Sequence, residues 1–160
     1  MERITLKDSV GLYGGFIGTE TRLSQRNWKT NVTTIDANGT GSVVTVPSGA
    51  TAATIIDGFT IRNGTGVLYP DPASPGYYQY GGGGIYCINA SSTIRNNTIT
   101  ANAAPQGAGI LCVSASPVIS SNTITGNSSS GNYAQGGGIY CYSSSPTLSG
   151  TSVTKNSTTQ

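Results

Sequence analysis

The sequence contains no histidine and few charged residues. Charged residues make up only 9% of the 160 residues, and the net charge is +2. Because histidine is the commonest general base and a common metal ligand, its absence leaves fewer residue types that could act as a catalytic base or bind a metal ion. The small net charge, without a Lys/Arg cluster, gives no indication of nucleic acid binding. No apolar run approaches the roughly 18 residues of a membrane span, so we expect no membrane-spanning segment.

The residues that are abundant form an internal repeat. Short Ile- and Thr-rich runs recur between Asn, Gly and Ser-Pro turns, and a Gly-Ile-aromatic/Leu-Cys block recurs between them. No stretch shows a helical period. The four copies of the first run begin at Thr54, Ser92, Pro117 and Pro146, and the three copies of the second at Gly84, Gly109 and Gly138.

Such a repeat predicts stacked coils, because one coil cannot bury its own apolar face. Strands of adjacent coils then pair about 4.8 Å apart and equivalent residues form ladders. We therefore predict an all-β, right-handed parallel β-helix of about five to six coils. An antiparallel β-sandwich does not explain why like residues fall in register. The predicted inward ladders are Ile56, Ile94, Ile119 and Leu148; Ile61, Ile99, Ile124 and Val153; and Ile85, Ile110 and Ile139. Asn97 and Asn122 are predicted to stack at a turn.

The first third of the chain is less regular. We interpret residues 1–160 as one β-helix domain, with irregular N-terminal coils and a loop over 1–53 and regular coils over 54–160. Residues 18–31 are predicted to form a loop on the side or end of the helix. Since solenoids need caps and none is visible, we expect the chain to be part of a longer protein.

Three motifs carry a family resemblance. They are Leu-Tyr-Gly-Gly-Phe-Ile-Gly-Thr-Glu-Thr from Leu12, Ile-Asp-Gly-Phe-Thr-Ile from Ile56, and Gly-Gly-Gly-Ile-Tyr-Cys followed by Ser-Ser-Pro. They resemble the right-handed β-helix repeat proteins of bacteria, a group similar to the pectate-lyase-like solenoids. The resemblance implies the fold. It does not choose among the lyases, hydrolases, adhesins, tail spikes and non-catalytic sugar-binding modules of that superfamily.

The candidates for chemistry are few. Asp36 and Asp57 are predicted to point outward on adjacent rungs, with Arg95 on the next. The two carboxylates could bind a metal or share a proton, or Arg95 could neutralise them in a surface ion-pair ladder. We favour the ion-pair ladder and assign no catalytic residue. Cys87, Cys112 and Cys141 fall in one line, whereas zinc needs about four converging ligands. They are predicted to form a buried thiol ladder, so no metal or cofactor is expected.

An outward strip beside the cysteine ladder is apolar or aromatic. Alternation places two columns there, which are Tyr86, Leu111 and Tyr140, and Ile88, Val113 and Tyr142. Exposed strips of this kind commonly bind something. Insertions at residues 64–81 and around Tyr133 could wall a groove beside the strip or cover it, and both alternatives stay open here. The candidate ligand-binding residues are Tyr69, Tyr77, Tyr78, Tyr80, Tyr86, Tyr133, Tyr140 and Tyr142.

These observations favour a non-catalytic extracellular or cell-surface module that binds a polysaccharide through its Tyr-rich side. One alternative is a fragment of a polysaccharide lyase or glycoside hydrolase. Another is a structural stalk or adhesin segment that associates end to end. Ice binding by outward Thr pairs is disfavoured, because the array is short and Arg62 interrupts it.

Overall fold

Three short parallel strands recur in each turn of the chain. The computed structural model describes residues 2–160. The first coil contains β1 (Ile4–Thr5), β2 (Gly11–Tyr13) and β3 (Thr33–Asp36), and the second contains β4 (Val44–Val46), β5 (Ile55–Asp57) and β6 (Phe59–Arg62). An antiparallel hairpin follows, with β7 (Val67–Pro70) and β8 (Tyr78–Gly81).

The remaining coils repeat this order closely. The third contains β9 (Ile85–Ile88), β10 (Thr93–Arg95) and β11 (Thr98–Thr100). The fourth contains β12 (Ile110–Val113), β13 (Val118–Ser120), β14 (Thr123–Thr125) and β15 (Ser128–Ser130). The fifth contains β16 (Ile139–Tyr142), β17 (Thr147–Ser149), β18 (Ser152–Thr154) and β19 (Ser157–Thr159).

Stacking of these coils produces three five-stranded parallel sheets. Sheet A has the order β1-β4-β9-β12-β16, sheet B β2-β5-β10-β13-β17, and sheet C β3-β6-β11-β14-β18. Each sheet takes one strand from each of five coils, as the repeat predicts. The first 53 residues also contribute strands to all three sheets, so the N-terminal part is less irregular in structure than in sequence.

The predicted inward ladders form the core. In sheet B, Ile94 pairs in register with Ile56 and Ile119, and in sheet C, Ile99 pairs with Ile61 and Ile124. All of these isoleucines are fully buried. Because each buried Ile side chain contributes roughly 1.5–3 kcal/mol, the repeated ladders account for why short strands hold together.

Asparagine ladders close the turns on either side of sheet C. The predicted pair is confirmed, since the Asn97 Nδ2 and backbone N–H both donate to Asn122 Oδ1, at 3.1 and 2.9 Å. A second ladder, which the sequence analysis did not predict, links Asn102 to Asn127 and Asn127 to Asn156. These amides satisfy buried backbone groups that short strands leave without partners.

The predicted pairing of Asp36 with Asp57 is wrong. Asp36 lies in sheet C beside Arg62, whereas Asp57 lies in sheet B between Tyr13 and Arg95. The long segment between β2 and β3 lies within one coil. The number of residues between Asp36 and Asp57 therefore does not correspond to one turn of the solenoid. The two carboxylates therefore share neither a metal nor a proton.

Residues 14–32 form a loop on the side of the solenoid, where the sequence predicted a loop over 18–31, and the loop contains a short 3₁₀ helix (Leu23–Gln25). The loop lies over the outer face of sheet B, where it buries Asp57 completely. Asp57 is thus not part of the surface ladder that was expected, although its predicted neighbour Arg95 does pair with it at 2.7 Å.

The cysteines pair in register along sheet A. All three are free thiols; Cys87 and Cys112 are buried, whereas Cys141 is exposed on the last rung, which corrects the prediction of a fully buried ladder. Burial raises the pKa of Cys87 to about 11. Since the thiolate is the reactive species, this thiol is inert at neutral pH.

Across residues 2–160, no helix has the length and apolar character needed to cross a membrane.

Candidate functional site

The Tyr-rich insertion folds into the hairpin β7–β8. Tyr69 pairs with Gln79 across the hairpin, and Leu68 pairs with Tyr80. Because side chains alternate along a strand, Tyr69 and Gln79 share one face, while Leu68 and Tyr80 share the other. Tyr69 is buried and Tyr80 is 52% exposed, so the first face packs on the solenoid.

Part of the predicted outward strip lies beneath this hairpin. Tyr69 packs with Leu111 and Val113 in a small buried cluster outside sheet A. The rings of Tyr69 and Tyr86 meet edge to face, with centroids 6.4 Å apart. The hairpin therefore covers the middle of the strip, at Leu111 and Val113. Covering was one of the two alternatives that the sequence left open.

The other end of the strip lines a groove. Tyr140 and Tyr142 of β16, which flank the cluster, border it together with the hairpin tip and the loop that carries Tyr133. The groove has a volume of about 540 Å³. Its lining residues are Tyr69, Asp71, Pro72, Ala73, Ser74, Tyr77, Tyr78, Gln79, Gln106, Tyr133, Gln135, Tyr140 and Tyr142.

Hydrogen bonds fix the polar part of this lining. The Tyr69 hydroxyl donates to Gln106 Oε1, and Gln106 Nε2 lies 3.5 Å from the carbonyl oxygen of Tyr133. Gln79 Nε2 donates to Asp71 Oδ2 at 3.2 Å, and the backbone N–H of Ala73 donates to Asp71 Oδ1 at 2.8 Å. Asp71 thus connects two parts of the hairpin tip, at Ala73 and at Gln79.

The hydroxyls of Tyr69 and Tyr140 in the groove stay protonated at neutral pH. Burial raises the pKa of Tyr69 and Tyr140, and the nearby negative charge of Asp71 raises both further. Burial also raises the pKa of Tyr86 beneath the hairpin. Each hydroxyl therefore remains a neutral donor and acceptor, and ionisation of these groups does not limit binding near pH 7.

Six of the eight predicted tyrosines line the groove. Tyr80 lies on the outer face of the hairpin and Tyr86 lies beneath the hairpin, so neither does. Tyr69 lines the groove but is 2% exposed, whereas Tyr77 and Tyr133 are 71% and 70% exposed. The sequence analysis missed Asp71 and three glutamines, because their positions depend on how the insertions fold back. The three glutamines are Gln79, Gln106 and Gln135.

No group of three or more Cys, Asp or Glu side chains that could hold a metal ion occurs between residues 2 and 160. Asp71 is the one charged residue among those that line the groove.

A protein-family model matches most of the chain. The family described as "Right handed beta helix region" matches residues 25–160, which contain the groove and four of the five coils. The chain belongs to the right-handed β-helix family. Searches of curated proteins and of solved structures gave no match. Membership of the β-helix family agrees with the parallel sheets and with the inward ladders, and it establishes the fold rather than a reaction.

Proposed function

We propose that this β-helix chain binds polysaccharide through the groove between the hairpin and the Tyr133 loop. The observation that carries the proposal is that exposed tyrosine rings and side-chain amides line the same groove. Tyr77 and Tyr133 line it and are well exposed. Three glutamine amides share this lining, from Gln79, Gln106 and Gln135. Aromatic rings suit the apolar faces of sugars, and amides suit their hydroxyl groups.

The charge of the groove favours a neutral polysaccharide. Asp71 places one carboxylate at the groove, and no lysine or arginine in the described lining balances it. A carboxylate accepts hydrogen bonds from sugar hydroxyls but repels a uronic acid. We therefore expect xylan or β-glucan to bind more tightly than pectin.

The same composition favours binding over hydrolysis. Most glycosidases place two carboxyl groups around the scissile bond, whereas Asp71 is the one carboxyl in the described lining. Asp36 and Asp57, to which the sequence analysis assigned no catalytic role, are each paired with arginine outside the groove. We therefore propose a non-catalytic module that acts at a cell surface or outside the cell.

The first test is loss of binding in tyrosine variants. Tyr77→Ala and Tyr133→Ala are each expected to weaken binding to xylan or β-glucan by about five- to tenfold, since truncating an aromatic contact of this kind costs about 1–1.4 kcal/mol. Both side chains are mainly exposed, so the fold should tolerate the changes. Affinity electrophoresis and titration calorimetry measure the effect.

Tyr80→Ala is the matched control. It removes an exposed tyrosine from the same hairpin but outside the groove, and wild-type affinity is expected. Equal weakening by all three variants, or no retardation of the wild type on any neutral or acidic glycan, would count against the proposal.

A structural stalk is the second candidate, and a different observation supports it. Leu148 and Val153 continue the inward ladders on the last rung and are 48% and 44% exposed. Exposed apolar residues on an unpaired strand edge favour association. Light scattering is expected to show a mass that rises with concentration, and a monomer at every concentration would exclude end-to-end association.

A further inference from the structure

A second pocket lies on a different side of the solenoid. It has a volume of about 300 Å³ and lies between the loop of residues 14–32 and sheet C. Trp28, Lys29 and Val32 line it from the loop, and Thr60, Thr98 and Thr123 line it from β6, β11 and β14. The groove described above lies on sheet A, so the two sites share no lining residue.

The loop side of this pocket is held rigidly. The backbone N–H of Asn27 donates to the Gly15 carbonyl at 2.8 Å, and the Asn27 side chain accepts from the Lys29 N–H at 3.1 Å. A Cβ at Gly15 would lie 2.6 Å from the Trp28 nitrogen, and both Gly15 and Gly58 have a positive φ. The close approach of Trp28 to the solenoid therefore depends on these two glycines.

Arg26 restrains the indole ring of Trp28. Its guanidinium lies 4.6 Å from the Trp28 ring centroid and pairs with the buried Asp57 at 2.7 Å. A cation–π contact of this kind restrains the ring without covering the pocket. Trp28 stays half-buried and contributes an aromatic surface that is in place before any ligand arrives.

Threonine hydroxyls form the sheet side. Thr98 pairs in register with Thr60 and Thr123, so their side chains repeat at the spacing of about 4.8 Å between strands. Among the described residues, these three hydroxyls engage no side-chain hydrogen bond, so they are available to a ligand. Lys29 is the one charged residue of the described lining.

We propose that this pocket, which we call the Trp28 pocket, is a second saccharide site that takes a sugar unit bearing a carboxylate. The indole ring packs against the sugar ring, the Thr98 column binds its hydroxyls, and Lys29 attracts its charge. The proposal for the Trp28 pocket is independent of the one for the groove, because the two sites share no lining residue. The charge of the Trp28 pocket is opposite to that of the groove, where Asp71 favours a neutral sugar.

Tryptophan fluorescence tests the Trp28 pocket alone, because Trp28 is the only tryptophan of the chain. Titration of the full chain with a hexamer of galacturonic acid is expected to change the emission saturably. Xylohexaose is expected to bind at least about threefold more weakly, since it lacks the charge. The acidic response should persist in the Tyr77→Ala and Tyr133→Ala variants, which distinguishes this site from the groove.

Thr98→Val and Lys29→Ala are the deciding variants. Valine has nearly the same shape as threonine and a high strand propensity. Lys29 is an exposed loop residue, so we expect Lys29→Ala to fold like the wild type. Each is expected to weaken the fluorescence response by about two- to tenfold, as the loss of one hydrogen bond or one exposed charge contact predicts. An absent response in the wild type, wild-type affinity in both variants, or equal affinity for the neutral hexamer would overturn the proposal.

Discussion

Replacing Asp57 with asparagine is expected to lower the free energy of unfolding by about 3–5 kcal/mol, the usual cost of breaking a buried ion pair from one side. Asp57 Oδ1 lies 2.7 Å from Arg26 Nη2, and Asp57 Oδ2 lies 2.7 Å from Arg95 Nε. Asn96 donates to the same carboxylate at 2.9 Å. The neutral amide keeps one acceptor but removes the charge that these three donors share.

The cost is large because Arg26 cannot reach water while its loop stays packed on sheet B. Its side chain is 6% exposed and lies against the rings of Tyr13 and Trp28, at 5.3 and 4.6 Å from their centroids. Asp57→Asn therefore leaves a buried guanidinium without its counterion. Because Arg26 connects residues 14–32 to sheet B, we expect that loop to detach first.

The pH dependence should identify the carboxylate. Burial opposes ionisation of Asp57 most strongly, but the hydrogen bonds from Arg26, Asn96 and Arg95 outweigh it, and the pKa is lowered from 3.8. A lowered folded-state pKa gives stabilisation that is fully present above pH 3.8 and is lost as the pH falls through the folded value. The stability difference between wild type and Asp57→Asn should thus be constant at neutral pH and shrink in acid.

Urea unfolding followed by circular dichroism measures this effect, and Asp36→Asn is the matched control. Asp36 also pairs with an arginine, at 2.9 Å, but Arg62 is half-exposed and can be solvated when its partner is lost. The control is expected to unfold close to the wild type. Equal losses from both variants would show that burial of Asp57 is not what makes it important.

Replacing Asn122 with alanine is expected to cost about 2–5 kcal/mol. Its Oδ1 accepts from the backbone N–H and Nδ2 of Asn97, and its Nδ2 donates to the carbonyl oxygen of Ile94 at 2.9 Å. The residue is buried, so no water replaces these bonds. Each buried polar group left without a partner costs roughly 1–3 kcal/mol.

Thermal unfolding tests this value, with Asn132→Ala as the control. Asn132 is exposed and lies outside the ladders, and its loss should leave the midpoint unchanged. A similar midpoint for Asn122→Ala and the wild type would contradict a stabilising role for the asparagine ladder.

The sequence predicted the core because every inward residue repeats. Ile94 and Asn97 each have an equivalent in the next coil, so the register followed from alignment alone. The prediction for Asp36 was wrong because the first coil contains a long loop. The distance between two motifs in the sequence corresponds to one turn of the solenoid only where the loops are short. The burial of Asp57 likewise depends on that loop, which has no repeat to align.

The groove could be predicted only in part. Alternation correctly placed Tyr140 and Tyr142 on the outside of sheet A, and the two insertions do emerge beside them. Which tyrosine the hairpin would bury was not predictable, because Tyr69 and Tyr80 differ only in the face of β7–β8 that they occupy. Gln106 was missed because its contacts with Tyr69 and with the Tyr133 carbonyl form only when both insertions fold back onto the solenoid.

Aromatic NMR of the chain with labelled tyrosine tests the central claim most directly. Once the ring signals of the nine tyrosines are assigned, each reports whether xylohexaose or a β-glucan hexamer contacts its ring. The account predicts shifts confined to the groove, with Tyr13 and Tyr80 unchanged. The rings expected to shift are Tyr77, Tyr78, Tyr133, Tyr140 and Tyr142. Unchanged spectra at saturating sugar, or shifts at Tyr13 and Tyr80 as large as those at Tyr77, would contradict it.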